Sequence, residues 1–297
     1  MKKMLKTVVV IAIMLIIADI TSCNRASSYL KIEGTVVTGI KDPTKVPAHV
    51  KIPNGITEIE AEAFRVSNKD EAYIGSKAVK TVLFPKSLKK IGKDAFYKCT
   101  YLESIEIQDG LEEICSGAFS ETALKNVTIP GSVEAIDVAT FASCESLTSV
   151  KIEEGVKKIN DGRWKTAGAF QYCTSLKSVT ISGSVMEIGG QAFMGCMSLE
   201  SVNIEEGVTK IGEGVFDSCT SLTSIMLPSS MTEIRCLTFS NCTSLESVTF
   251  ADINGWWATD AVWGHGNAID VSTPTTNAKK LTSSGARNWL GYNLNKK

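Results

Sequence analysis

The feature that most constrains this chain is a pattern that returns eight times, at intervals close to 23 residues. Each copy has two apolar residues separated by one residue, a turn, an apolar residue three before an isoleucine, and then a phenylalanine. Most copies continue with a cysteine and a leucine. The copies begin at Val50, Val82, Ile105, Val127, Val150, Val179, Val202 and Ile225, and Val248 begins a ninth, incomplete copy. The steps between them are 32, 23, 22, 23, 29, 23, 23 and 23 residues. A period of this length is typical of solenoids.

The spacing inside each copy predicts how the copy folds. Two apolar residues separated by a polar one, as in Val202-Asn203-Ile204, form a short strand with one apolar face. Such a strand is too short to be stable alone, and it buries its apolar face only with coils above and below it. We therefore expect a β-rich repeat solenoid of about eight coils with a parallel strand ladder.

The turn after this strand alternates between two chemistries. Odd-numbered copies carry a glycine where even-numbered copies carry a serine, and glycine permits a positive φ angle there. The glycines are Gly55, Gly110, Gly155 and Gly207, and the serines are Ser87, Ser132, Ser184 and Ser230. Three of the even turns begin with Pro85, Pro130 or Pro228, which fixes φ. The alternation indicates a duplicated two-coil unit.

Two insertions interrupt the period. Nine extra residues lie within residues 65–81 and six more lie within residues 160–166. Insertions into a solenoid repeat map to loops on the outside of the stack.

The repeats resemble a known family. The segments Leu222-Thr-Ser-Ile-Met-Leu-Pro-Ser-Ser-Met-Thr-Glu-Ile and Ile211-Gly-Glu-Gly-Val-Phe-Asp-Ser-Cys are similar to the BspA-like, Treponema-type leucine-rich repeat. The resemblance covers roughly residues 50–250. It implies a curved, right-handed superhelix on a microbial surface. Several members of that family are adhesins that bind host matrix proteins or other microbes, so the resemblance implies a class of function without identifying a ligand.

The amino terminus has the pattern of an export signal. Lys2, Lys3 and Lys6 precede an apolar run over residues 8–18, which is shorter than the roughly 17–25 residues that a membrane-spanning helix needs. The run is followed by Ile20-Thr21-Ser22-Cys23, which resembles a bacterial lipobox. We expect residues 1–22 to be a signal peptide and Cys23 to be lipidated, with residues 23–28 as a tether. The alternative is an ordinary signal peptide in which Cys23 is incidental.

Six cysteines occupy the same repeat position: Cys99, Cys144, Cys173, Cys196, Cys219 and Cys242. Cys115 and Cys236 lie elsewhere in their copies. Cysteines in an exported chain suggest disulfides. A cysteine at one place in successive coils is nevertheless better interpreted as a small apolar residue in an inward column, because parallel side chains on adjacent coils have unfavourable disulfide torsions. We expect buried free thiols.

Motifs for catalysis or cofactor binding are missing from the sequence. It has no Gly-x-Ser-x-Gly, phosphate-binding loop or His-Glu-x-x-His, so neither an enzyme nor a cofactor is predicted. The only histidines, His49 and His265, are far apart, and cysteines 23 residues apart lack the spacing of a metal site. The formal net charge of -1 provides no basic surface for nucleic acid.

The candidate binding surface is the outward side of the strand ladder. Strand residues between the inward apolar positions form one predicted column: Glu106, Thr128, Lys151, Thr180, Asn203, Met226 and Thr249. A second column is Ser104, Asn126, Ser149, Ser178, Ser201, Ser224 and Ser247. Solenoids bind partners on extended concave surfaces of this kind. Alternatively, these short side chains only permit close stacking of the coils.

Tryptophan is concentrated at the carboxyl end. Trp256, Trp257, Trp263 and Trp289 lie after the repeats, and Trp164 lies in the second insertion as a candidate contact residue. Terminal coils need caps. We therefore expect residues 29–49 and the aromatic-rich residues 248–297 to cap the repeats of residues 50–247, although exposed tryptophans could also form a platform for a sugar or a protein.

Together these patterns predict a cell-surface lipoprotein of the bacterial envelope, anchored through Cys23, with the outer membrane as the expected location. The expected partner is an extracellular protein of host or microbial origin, bound in the manner of an adhesin. The alternatives are a glycan-binding lipoprotein of a nutrient-uptake system and a structural envelope protein without a ligand.

Overall fold

The computed structural model describes residues 29–68, 71–75, 78–162, 166–260, 266–268, 271–282 and 292–296. It confirms the predicted β-solenoid. Each complete coil contributes one strand to each of two separate parallel arrangements, so the chain advances by one strand spacing per repeat. Within the described ranges, none of the helices has the length and apolar character needed to cross a membrane.

The first strand of each coil belongs to what we call the long-strand ladder. Its strands are β3 (His49–Lys51), β7 (Thr81–Leu83), β9 (Ser104–Glu106), β11 (Asn126–Ile129), β13 (Ser149–Ile152), β15 (Ser178–Ile181), β17 (Ser201–Ile204), β19 (Ser224–Leu227) and β21 (Ser247–Phe250). The hydrogen-bonded pairing is interrupted twice, which leaves the groups β3-β7-β9, β11-β13-β15-β17 and β19-β21.

The second strand of each coil has only two residues and belongs to the short-strand ladder. Its strands are β4 (Glu58–Ile59), β8 (Lys90–Ile91), β10 (Glu113–Ile114), β12 (Ala135–Ile136), β14 (Lys158–Ile159), β16 (Glu187–Ile188), β18 (Lys210–Ile211) and β20 (Glu233–Ile234). These strands pair without interruption, and the isoleucines form one buried column. This second ladder has no recognisable signal in the sequence, because two residues are too few to show an alternating pattern.

The remaining elements lie at the two ends and in one insertion. They are β1 (Leu30–Glu33), β2 (Val36–Ile40), the 3₁₀ helix Pro43–Lys45, β5 (Arg65–Asn68), β6 (Glu71–Gly75), β22 (Trp256–Asp260), β23 (Gly266–Ala268), α1 (Pro274–Thr282) and β24 (Tyr292–Lys296). The first insertion folds as the antiparallel hairpin β5–β6 rather than as the expected loop.

Phenylalanines fill the centre of the stack. The eight phenylalanines at the repeat position are at most 2% exposed. The centroids of neighbouring rings lie 4.5–5.8 Å apart, and the ring planes are nearly parallel. The column consists of Phe64, Phe96, Phe119, Phe141, Phe170, Phe193, Phe216 and Phe239. The rings follow the coil spacing of a parallel ladder, so the repeat period itself sets the stacking distance.

The backbone around each phenylalanine forms a third set of bonds between coils. The phenylalanine amide donates to a carbonyl of the next coil, as Phe119 does to Thr140 at 2.8 Å. Residues two before and two after the phenylalanine donate in the same direction, as Asp94 and Lys98 do around Phe96. Asp94 and Lys98 have φ angles of 54° and 58°, and this left-handed conformation aims their amides along the stack.

The alternating turns interlock as pairs of coils. The amide of Gly207 donates to Ser230 Oγ at 2.9 Å, and Ser230 donates in turn to the Val208 carbonyl. Gly207 has a φ angle of 114°, and on its other side it packs so closely on Gly183 that a Cβ atom on Gly207 would lie 2.2 Å from the Gly183 carbonyl oxygen. All four odd glycines donate to the serine of the even turn after them, and Gly155 and Gly207 also pack on Gly131 and Gly183 of the even turns before them. These contacts give the predicted two-coil unit a physical basis.

The acidic residue of the odd turn completes this pairing. The carboxylate of Glu206 accepts hydrogen bonds from the Ser229 amide, the Ser229 hydroxyl and the Ser230 amide at 2.9–3.1 Å. These bonds, those from Ser229 first, lower the pKa of the Glu206 carboxyl. They stabilise the charged form only in the folded state.

The C-terminal segment closes the end of both ladders. Helix α1 packs against β21, and the side chain of Asn277 donates to the carbonyls of Val248 and Val271 at 3.0 and 2.8 Å. The side-chain amide of Asn277 thus donates to the Val248 carbonyl the hydrogen bond that the backbone of a tenth coil would otherwise donate. Strand β24 pairs antiparallel with β20 and covers the short-strand ladder.

An aromatic contact and an ion pair fix this end. The Trp256 ring is 2% exposed and meets the Phe250 ring edge-on at 4.8 Å. Lys296 contacts Asp252 and holds the pKa of that carboxyl at about 2. Trp256 thus packs on the last coil, whereas Trp263 and Trp289 lie outside the described residues.

Stability at low pH tests the role of Glu206. Its pKa is lower folded than unfolded, so its contribution is present above the unfolded value and is lost as the pH falls through the folded value. We expect the melting temperature of the wild type to fall more steeply than that of Glu206→Gln between about pH 5 and pH 3. Glu205→Gln is the matched control, because the structure shows no hydrogen bond to the Glu205 side chain among the described residues. Parallel melting curves for wild type and Glu206→Gln would contradict the assignment.

Candidate binding surface

The predicted contact column lies on the outside of the long-strand ladder. Thr128, Lys151 and Asn203 are exposed and Thr180 is half-buried, while the intervening valines and isoleucines point into the core or pack against it. The four side chains stand in register, because Thr128 pairs with Lys151, Lys151 with Thr180, and Thr180 with Asn203. The strand pleat therefore presents them on one face at the spacing of the coils.

The structure divides the rest of the predicted column. Glu106 pairs with Leu83 in the first group of strands, and Met226 pairs with Thr249 in the last group. Neither Glu106 nor Met226 is in hydrogen-bonded register with the middle four residues. The seven predicted residues thus lie on three neighbouring segments, of which the middle one, β11-β13-β15-β17, is the longest regular surface.

The second predicted column lies beside the first. Asn126 pairs with Ser149, and the Ser149 hydroxyl donates to the Asn126 side chain at 2.6 Å. The Thr148 hydroxyl also donates to Asn126, at 3.1 Å. The short polar side chains in these positions form hydrogen bonds between adjacent strands of the ladder, so the surface stays flat.

Charge on this face is sparse. Lys151 pairs with Glu153 of its own strand end at 2.9 Å, and both side chains are partly exposed. An exposed pair of this kind contributes little to stability and is readily rearranged by a partner. The middle segment is therefore a polar, lightly charged surface.

The short-strand ladder has a different outer surface. Its outward residues are glutamates and lysines that alternate along the stack except at Ala135. Lys90 and Lys210 form ion pairs with Glu113 and Glu233 at 3.2 and 3.6 Å. The hydrogen bond that Lys90 donates to Glu113 is the main cause of the raised pKa of Lys90. This face neutralises its own charges along the stack, which favours the long-strand face as the one available to a partner.

The repeat cysteines line the interior, as predicted. All eight described cysteines are free thiols, and the six in the repeat position are buried. Their Sγ atoms lie close to the carbonyl oxygen of the phenylalanine in the preceding coil, as Cys144 does to Phe119 at 3.1 Å and Cys242 to Phe216 at 3.0 Å. In the third copy Thr122 takes the cysteine position and bonds to the Phe119 carbonyl of its own coil. The cysteine is therefore a small donor that satisfies a backbone carbonyl inside an apolar column.

Burial keeps these thiols protonated. It raises the pKa of Cys144 to about 11, that of Cys196 and Cys242 to about 12, and that of Cys173 and Cys219 well above the ordinary value. A neutral thiol is a poor nucleophile and a poor metal ligand. In the described part of the chain, no three His, Cys, Asp or Glu side chains are grouped as a metal site would require.

Two predicted positions lie outside the described residues. They are Cys23, the expected lipidation site, and Trp164, the candidate contact in the second insertion. His49 lies on β3, the first strand of the long-strand ladder. Its Nδ1 atom forms a hydrogen bond with the Thr81 hydroxyl of β7 at 2.8 Å.

Comparison with known proteins identifies the repeat. The family described as the BspA type leucine rich repeat region matches residues 67–167 and 166–256, in six copies. The chain belongs to this family. A search of the curated proteins finds no match.

Solved structures of similar fold are bacterial leucine-rich repeat proteins. A leucine-rich repeat protein of T. pallidum is 28% identical, covers 66% of this chain and 88% of its own, and superimposes with a TM-score of 0.55. A leucine-rich repeat protein from Eubacterium ventriosum also matches, with 18% identity, a TM-score of 0.36 and an alignment that covers 72% of this chain and 65% of that protein. The pneumococcal vaccine antigen PcpA matches with 19% identity, a TM-score of 0.40 and an alignment that covers 76% of this chain and 68% of PcpA. The last two superimpose too loosely to add to the fold assignment.

Alkylation of the native protein tests the cysteine assignment. With iodoacetamide at mildly alkaline pH, we expect slow labelling of the half-buried Cys115 and Cys236 and none of the six column cysteines. Unfolding in concentrated guanidinium should expose all eight. Peptide mass spectrometry locates the label, and a disulfide between column cysteines, or their labelling in the native state, would show the assignment to be wrong.

Proposed function

We propose that the protein is an adhesin-type interaction scaffold, which binds an extracellular protein of host or microbial origin through the outer face of its long-strand ladder. The observation that carries the proposal is the register of Thr128, Lys151, Thr180 and Asn203 on the middle segment. Four aligned strands give a rigid, extended surface whose side chains are short and largely uncharged. Such a surface contacts a partner without a large loss of side-chain entropy.

The family assignment supports the same class of function. Leucine-rich repeat solenoids are typically interaction scaffolds rather than enzymes, and repeat stacking creates their extended binding surfaces. The deeply buried, protonated cysteine column gives this chain no activated nucleophile. Binding is therefore a better account of the molecule than catalysis.

Charged substitutions on the two faces test the proposal. Binding of immobilised fibronectin, fibrinogen, laminin and collagen by the purified protein is compared with that of a double variant, Thr180→Arg with Asn203→Arg. We expect at least one matrix protein to bind and the double variant to lose about tenfold or more in affinity, because two desolvated charges face the partner. Thr209→Arg with Thr232→Arg, on the short-strand side, is the matched control.

Two results would contradict the proposal that the long-strand face binds the partner. One is the absence of binding to every protein of the panel. The other is an equal loss in the control variant, which would move the contact away from the long-strand face. Circular dichroism melting curves confirm that both variants remain folded.

We also propose that Cys23 carries a lipid that holds the protein on the outer membrane with the solenoid exposed. The support is the apolar segment and the Ile20-Thr21-Ser22-Cys23 motif. Several acyl chains give firm anchoring, whereas one gives only reversible binding.

Metabolic labelling of cells tests the anchor. With radioactive palmitate we expect labelling of the wild type, and none of Cys23→Ser, which should appear in the soluble fraction. Protease treatment of intact cells should then digest the anchored form. Membrane retention of unlabelled Cys23→Ser would contradict lipid anchoring, and protection from protease would contradict surface exposure.

A further inference from the structure

The third copy is one residue shorter than the regular repeat, and the structure shows what this omission creates. Other copies have two residues between the cysteine and the leucine, whereas Thr122 and Leu124 are separated only by Ala123. The turn of the third coil is thus recessed between those of its neighbours. The recess is a notch of about 380 Å³ lined by Thr100, Glu121, Thr122, Ala123, Ser143, Glu145 and Ser146.

Bonds between successive turns are also missing at this point. In later coils the Ser198 amide donates to the Thr174 carbonyl at 3.2 Å, and the Ser221 amide donates to the Met197 carbonyl at 3.1 Å. Within the part of the chain that the structure describes, the amides of Ala123 and Ser146 make no such bond. The turns of the third and fourth coils are therefore not joined in the way that Ser198 and Ser221 join the turns of the sixth and seventh coils to the turns before them.

The notch presents hydrogen-bonding groups that the protein itself does not use. Thr100, Glu145 and Ser146 are exposed, and among the described residues their side chains, like that of Ser143, form no hydrogen bond or ion pair. Hydroxyls can donate and accept, while the Glu145 carboxylate only accepts. The notch therefore offers several acceptors and adaptable donors within one small volume.

Glu121 is held in place by two residues of the second coil. The Tyr97 hydroxyl donates to one oxygen of its carboxylate at 2.9 Å, and Lys98 Nζ lies 3.8 Å from the other. A carboxylate has about four acceptor positions, so two bound partners leave capacity for a ligand. A side chain fixed in this way loses little freedom when a ligand arrives.

Two exposed tyrosines lie in coils around the notch, outside its lining. Tyr101 directly follows Thr100 and is 50% exposed. Tyr172 takes, in the next coil, the position that Ser143 holds, and it is 45% exposed. Its ring lies over Gly195, where a Cβ would be 2.4 Å from Tyr172 Cδ1, so the ring is supported from below.

We propose that this notch binds a sugar ring of a neutral glycan. Carboxylates and hydroxyls match the donors and acceptors of a sugar, and the two glutamates disfavour anionic sugars and phosphates by charge repulsion. Tyr101, which directly follows the lining residue Thr100, offers an exposed ring for the apolar face of an adjacent sugar. Small-molecule pockets occupy roughly 300–1,000 Å³, so the volume fits one ring or a disaccharide end. The site lies on the turns between coils, and it does not depend on the proposed protein-binding face.

The test uses the exported chain without its lipid and saturation-transfer difference NMR with single probes: glucose, galactose, mannose, N-acetylglucosamine, their disaccharides, and glucuronic acid. We expect at least one neutral probe to bind and glucuronic acid not to bind. Glu145→Gln should weaken binding about tenfold, the usual loss for a charge-assisted hydrogen bond.

A filled notch provides a second, independent readout. Ser146→Trp places a ring in the notch and should abolish binding, whereas Ser221→Trp, at the same repeat position in a coil without the recess, should leave it unchanged. Equal melting temperatures of the two variants confirm that both remain folded. The proposal is overturned if no neutral probe binds the wild type, if glucuronic acid binds as well as the neutral sugars, or if binding survives Ser146→Trp.

Discussion

The amides of the buried phenylalanines, together with those of residues beside them, tie each coil to the next. Three donors, at the phenylalanine and two residues to each side, point along the stack, as Gly117, Phe119 and Glu121 do toward the fourth coil. This geometry uses two left-handed residues in six of the eight coils, one in the first and fifth coils, and a ring that stacks on its neighbour. It fixes the rotation of each coil relative to the preceding coil, and both strand ladders follow from that rotation. The outer face of β11-β13-β15-β17 is flat because its strands are set by this inner column.

Local departures from the repeat give some coils features that the other coils lack. Odd and even turns interlock through Gly207, Ser230 and Glu206, which makes two coils the structural unit. An omitted residue after Thr122 opens the notch, and an inserted segment after Arg65 becomes a hairpin. Changes of one or a few residues are absorbed in turns because the phenylalanine column and the isoleucine column keep their period. Such positions are where a solenoid acquires ligand specificity without loss of the stack.

Much of the fold followed from the sequence because its signals are periodic. Spacing of the inward apolar residues predicted the long strands, and a cysteine in a fixed repeat position predicted a buried thiol, which Cys144 and Cys196 confirm. The left-handed residues were not predicted, since residues as different as Lys98 and Tyr172 occupy them and only glycine signals this conformation in sequence. Their conformation is imposed by the neighbouring coils.

The binding surface was only partly predictable for a related reason. Alternation showed that Thr128 and Asn203 face outward, but it did not show the breaks that separate Glu106 and Met226 from them. Only the break after Glu106 coincides with an irregular step, of 22 residues. The 22-residue step was visible in the sequence, yet the recess it leaves depends on Ser146 and Thr100 from the coils on either side. Such contacts join residues of different repeats and have no local sequence pattern.

Native-state hydrogen exchange tests the central claim most directly. Turn amides usually exchange quickly, because they lack partners in regular structure. If the phenylalanine column ties the coils together, the amides of Phe96, Phe119 and Phe141 should be as strongly protected as the isoleucine amides of the short-strand ladder, and should open only with the whole stack. Rapid exchange at these three amides, with protection retained in the two ladders, would contradict the account.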